Sequence, residues 1–130
     1  MARKLKPRTR NGGSWTEARF WGFLRSGVRG ISVRWRPIQK AKEDSRRSYS
    51  GPDKRRKWEY QCSGCGQWHA GKSVKVDHVV PCGSLRSWDD LAVFCERLFC
   101  EQDGLQVLCL SCHSRKNDSE RRSEHGNQDR

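Results

Sequence analysis

Two Cys-x-x-Cys pairs, Cys62/Cys65 and Cys109/Cys112, flank the dipeptide Asp77-His78, and the second pair runs directly into His113. Thiolates in such turns are the ligands of tetrahedral structural zinc. The two turns, separated by the 43 residues from Gly66 to Leu108, can each offer two sulfurs to one ion. Asp77 and His113 can each give one ligand to a hard divalent ion and leave positions open for water and phosphate oxygens. His78 is placed to act as general base, since an ordinary imidazole is neutral in a good fraction of molecules near pH 7 and can take a proton from an attacking water. The metal would neutralise charge on the phosphorane and the leaving oxygen, which completes the parts of a single-metal phosphodiesterase.

Other readings of the cysteines are weaker. A thioredoxin-type redox pair needs one Cys-x-x-Cys in a βαβ setting that this chain lacks. Cys109 to His113 formally matches C-x-x-C-H haem attachment, but Met1 to Arg10 is basic and has no apolar stretch of a secretory signal. His69 can replace one thiolate at the zinc. Cys82, Cys95 and Cys100 lack partner spacing and read as buried small hydrophobes. Seven cysteines without a signal segment fit reduced thiols in a cytosol better than a disulfide framework.

The elements that must carry these groups follow from periodicity and turn chemistry. Residues 1–13 are basic and aperiodic and read as a flexible arm. Ser14 to Glu17 has the form of a capping box, followed by apolar residues at helical spacing from Phe20 to Trp35, which predicts a helix from about Trp15 to Trp35. Pro37 suits the first turn of a second helix to about Arg47, and 48–57 reads as a linker ending in the cluster Lys54, Arg55, Arg56 and Lys57. Val74 to Val76 alternates as a strand that delivers Asp77 and His78 at its end. Leu91, Phe94, Cys95 and Leu98 form the apolar stripe of a packing helix that starts near Ser87. Leu105 to Leu108 is a second strand, and a helix carrying His113, Arg115 and Lys116 follows it.

Only 33% of the chain is hydrophobic and 32% is charged, so 130 residues build a thin core that a metal would staple. The net charge of +12 is unevenly placed: residues 1–57 hold 18 Lys and Arg against 4 Asp and Glu, residues 58–130 hold 9 against 11. With Trp15, Phe20, Trp21, Phe23 and Trp35 interleaved, the basic half reads as a polyanion-binding region, with nucleic acid as the expected partner. No long apolar face accompanies the charge and no apolar run reaches membrane-spanning length, so no membrane partner is expected.

Residues 58 to about 122 resemble the HNH nuclease family in its zinc-containing, phage-type form, on the strings WEYQCSGCGQW, VDHVVPCG and DGLQVLCLSCHSRK. The resemblance implies a small ββα-metal nuclease core at 58–123 stapled by zinc; the α+β chain is expected to add a basic helical DNA-binding extension at 14–57 and a disordered tail at 124–130. It implies Asp77 and His113 as ligands of a catalytic Mg2+ or Mn2+, His78 as base, structural Zn2+ on Cys62, Cys65, Cys109 and Cys112, and double-stranded DNA as substrate. Lys54, Arg55, Arg56, Lys57, Arg115 and Lys116 are the expected nucleic-acid contacts. Gly104 departs from the pattern, because the family has an Asn there that braces the loop holding the base; either Asp103 or backbone groups provide the brace, or the loop is looser and turnover slower. A non-catalytic zinc-stabilised DNA-binding module and an accessory factor acting with phage packaging proteins are the alternatives. The chain is expected to be cytoplasmic, in the host cell if it is phage-encoded.

Overall fold

A computed structural model describes residues 3–128, with side chains through residue 122. Among them the chain is mixed α+β, with four α-helices and three small antiparallel sheets. It divides into two compact units, and the division does not follow the expected boundary near residue 58. The first unit combines residues 1–35 with 80–100, and the second combines 36–79 with 101–130. No helix among the described residues is long and apolar enough to cross a membrane.

The first unit begins with structure where a loose arm is expected. β1 (Arg8–Arg10) pairs antiparallel with β2 (Trp15–Thr16). Asn11, Gly12 and Gly13 turn the chain at φ 51, 66 and 79°, a left-handed path open to Asn and Gly. Helix α1 (Glu17–Ser32) is capped by Thr16, whose side-chain oxygen accepts the Arg19 N–H at 3.2 Å. Ser14, the expected cap, instead donates to the Asn11 carbonyl. Glu17 binds Arg10 and the Trp21 indole rather than closing a capping box. Trp21 of α1 packs with Phe94 and Leu98 of α3 (Trp88–Leu98), together with Cys82 and Leu85. Cys82 is buried as expected, whereas Cys95 and Cys100 are only half-buried. Burial pushes the Cys82 thiol pKa up despite nearby Arg29 and Arg25.

The second unit carries every predicted metal ligand. Helix α2 (Arg36–Asp44) leads into a three-stranded sheet of β3 (Arg46–Ser48), β4 (Trp58–Gln61) and β5 (Trp68–His69) in the order β3-β4-β5. The expected linker at 48–57 is therefore a hairpin: its pairing continues to the Tyr49 N–H on the Lys57 carbonyl, and the basic cluster sits on its loop. β6 (Val74–His78) pairs antiparallel with β7 (Leu105–Cys109), in the register Val74↔Cys109, Val76↔Val107 and His78↔Leu105. β7 is buried along most of its length, which suits its apolar run. Helix α4 (Leu110–Gln128) starts at the residue after β7 and packs on both strands, as α2 also does. The tail expected from 124 is helical to Gln128, and residues 129–130 lie outside the described residues.

Candidate metal centre and its neighbouring acid–imidazole site

Cys62 ends the β4 approach and is 1% exposed; Cys109 ends β7; Cys112 lies in the first turn of α4. The first knuckle is built by short-range bonds. Gly66 donates to the Cys62 carbonyl at 2.9 Å, and the N–H groups of Gly64 and Cys65 point at Cys62 Sγ from 3.3 and 3.5 Å. The Ser63 N–H reaches the Val107 carbonyl at 2.8 Å and ties that knuckle to β7. Two glycines suit this turn: Gly66 takes φ 74°, which strains other side chains, and a Cβ on Gly64 would stand 3.1 Å from Cys112 Sγ, a tighter approach than an ordinary contact.

All four sulfurs lie within 4.8 Å of one another, with Cys65 and Cys109 4.0 Å apart. Zinc–sulfur bonds of about 2.3 Å place tetrahedral sulfurs about 3.8 Å apart, so the cluster fits one zinc after a small contraction. Burial opposes charge on Cys62, but backbone N–H groups of Cys109, Cys65 and Gly64 outweigh it and bring its pKa to about 6. The Cys112 thiol is pushed up to about 12, first by its hydrogen bond with Cys109, then by burial and the other sulfurs. Four crowded thiols cannot all ionise without a cation, which zinc would supply as it releases their protons. His69 Nε2 lies 3.9 Å from Cys65 Sγ, beside the four-sulfur cluster. Arg115 extends a guanidinium nitrogen to 3.5 Å from Cys112 Sγ, where its charge would offset thiolate charge in a metal-loaded cluster.

The second site lies where β6, β7 and α4 meet. The register sets Asp77 opposite Gln106, and α4 puts His113 one residue past the cluster. His113 Nε2 is 3.7 Å from Asp77 Oδ1, with side-chain exposures of 25% and 14%. A divalent ion about 2.1 Å from each donor spans up to about 4.2 Å, so the pair can share one ion whose other positions stay open. The Asn117 side-chain amide is 3.5 Å from His113 Nδ1. Turned so that its oxygen accepts an Nδ1 proton, it leaves the Nε2 lone pair for a metal. His78, next to Asp77, carries its imidazole on the last residue of β6.

Asp77 Oδ2 faces the other way. Lys116 Nζ is 2.6 Å from it, and the Gln106 amide donates to it at 3.3 Å. Lys116 also reaches Glu120 at 2.8 Å and the His78 carbonyl at 2.6 Å, so this predicted phosphate contact is turned inward. Burial works against its charge, but hydrogen bonds to Asp77 and Glu120 prevail and raise its pKa. At Gly104, where the resemblance would have an Asn, the backbone carbonyl accepts the Val79 N–H at 2.9 Å, one residue past His78.

Of the basic cluster, Lys54, Arg55 and Lys57 are exposed, while Arg56 lies over the Tyr49 ring at 4.2 Å and reaches Glu59. The sequence reading missed Arg46, 4.2 Å from the Trp58 ring centre, and Arg47, 3.7 Å from that of Trp68. Their signal was the Arg-Arg pair facing Trp-Glu-Tyr across a turn, legible only once the hairpin is known. No protein-family model, curated protein or solved structure matches the chain.

Proposed function

We propose that this chain is a metal-dependent endonuclease of the HNH type that hydrolyses DNA phosphodiester bonds. The observation that carries the reading is the meeting of Asp77 and His113 across β6 and α4, 3.7 Å apart, with His78 adjoining. An antiparallel strand pair feeding directly into a helix supports a ββα-metal core, and the four-sulfur cluster at the β7–α4 junction supports zinc as its staple.

The residues fit the roles asked of them. Asp77 and His113 would hold Mg2+ or Mn2+, which supplies charge neutralisation at phosphate. His78 would take the proton of the attacking water, and the fixed strand end would hold its backbone in place for that transfer. A non-catalytic, zinc-stabilised DNA-binding module is the second reading, favoured by the Lys116–Asp77 ion pair, which already occupies one oxygen of the proposed metal ligand. The role with packaging proteins stays a proposal of the resemblance alone.

Two substitutions test the site. Mn2+ titrated into the zinc-loaded chain and followed by electron paramagnetic resonance is expected to show one bound ion. Asp77→Ala and His113→Ala are each expected to weaken its binding at least about 10-fold, and with it DNA strand breakage. Breakage that persists unchanged in both variants would overturn the assignment.

The exposed cations of the β3–β4 loop serve the same function by contacting backbone phosphates. Replacing Lys54, Arg55 and Lys57 together by Glu is expected to weaken duplex binding and to lower the slope of log affinity on log salt by about 2 to 3. An unchanged slope at unchanged zinc content would place the interface elsewhere.

A further inference from the structure

The Lys116 ammonium has three N–H donors, and three acceptors surround it: Asp77 Oδ2 and the His78 carbonyl at 2.6 Å, and Glu120 Oε1 at 2.8 Å. Its side chain is 22% exposed. A cation so committed has no donor left for a phosphate. Two of its acceptors belong to consecutive residues of β6, whose side chains leave the strand on opposite faces. One ammonium therefore holds both the Asp77 carboxylate and the backbone of His78.

The peptide joining His78 to Val79 is held at both its polar groups. Its carbonyl accepts from Lys116, and its N–H donates to the Gly104 carbonyl at 2.9 Å. No side chain at position 104 can add to this clamp. On the carboxylate, Gln106 and Lys116 both occupy Oδ2, and Oδ1 is the oxygen turned to His113. The bonds thus sort the two oxygens of Asp77 by role.

We propose that Lys116 is a positioning residue for the Asp77–His78 strand end: it directs Asp77 Oδ1 toward His113, clamps the His78–Val79 peptide, and makes no phosphate contact. What those positioned groups then do rests on the nuclease reading, but the clamp itself does not.

The test uses the full chain loaded with zinc. In the parent, the 15N signal of the Lys116 ammonium is expected to be protected from solvent exchange and to stay in place when duplex DNA is added without Mg2+ or Mn2+. In Lys116→Met, hydrogen exchange at the Val79 amide is expected to rise at least about 10-fold, as a local opening should. The Val107 amide and duplex affinity measured without Mg2+ or Mn2+ are expected to hold. Cleavage should lose about 10- to 100-fold in kcat with KM within a factor of about two, the signature of misplaced rather than missing contacts. Glu120→Gln, which leaves Asp77 and His78 bound to Lys116, should move none of these. An ammonium signal that shifts on DNA addition would overturn the proposal, as would a salt slope reduced by about 0.9 in Lys116→Met. So would unchanged Val79 exchange. If the parent does not cleave DNA, the nuclease reading fails, while the exchange and ammonium measurements still decide the role of Lys116.

Discussion

Removing zinc, by excess chelator or by Cys109→Ser, is expected to unfold the unit that carries Asp77, His78 and His113. The buried cluster beside the centre consists of Cys62, Leu108 and Cys109 with Cys112 packed on it, so three of its four members belong to the four-cysteine set that could hold the metal. Take the metal away and the cluster keeps one apolar side chain among crowded thiols. Structural zinc contributes about 10 to 16 kcal/mol of apparent binding free energy in small domains, against about 5 to 15 kcal/mol for the whole stability of a typical fold. The first quantity matches or exceeds the second, so the loss is global for that unit. Cys109 is the substitution to use because it ends β7 at 5% exposure and precedes α4, so its loss disturbs both elements. Metal analysis should find about one zinc per chain, and dispersed amide signals of β6 and β7 should collapse on chelation. No zinc in the purified chain, or a spectrum that survives chelation unchanged, would refute the staple.

His78→Ala is expected to lower DNA cleavage by about 100- to 10,000-fold, the range a positioned general base contributes. Fold should survive, because His78 ends its strand and its backbone is held by the Gly104 and Lys116 bonds rather than by the imidazole alone. Zinc content, Mn2+ binding at Asp77 and His113, and duplex affinity without Mg2+ or Mn2+ should all remain near those of the parent. That combination separates loss of the base from loss of the site. A variant that cleaves as fast as the parent would remove His78 from the mechanism.

The chemistry-bearing residues were the most legible part of the chain, because ligand spacing is a local property. Paired Cys-x-x-Cys turns announce themselves, and the structure gathers all four sulfurs into one cluster. Phe20, Leu24 and Val28, or Leu91, Phe94 and Leu98, likewise mark α1 and α3 through helical period alone. The β3–β4 hairpin was illegible for a physical reason. Its first strand is Arg-Arg-Ser, poor in β-branched residues, and is held by partners across the sheet: Arg46 on Trp58, Arg47 on Trp68 and Glu59. Such pairs are invisible until the register is known. The turn at Asn11-Gly12-Gly13 did carry a hairpin signal, but no alternating apolar residues flank it. Lys116 looked like a surface cation because its partners lie 38 and 39 residues away, at His78 and Asp77. The interleaving of two units was hidden in the same way. Residues 80–100 separate β6 from β7 in sequence, yet they pack with α1.

The measurement that bears most directly on the central claim is cleavage of a supercoiled plasmid by the zinc-loaded chain with Mg2+ or Mn2+, beside His78→Ala and a control of the zinc-loaded chain without added Mg2+ or Mn2+. The account predicts nicking or linearisation by the parent that requires added Mg2+ or Mn2+ and is all but absent in the variant. An intact plasmid after incubation with a folded, zinc-loaded, DNA-binding parent would contradict it.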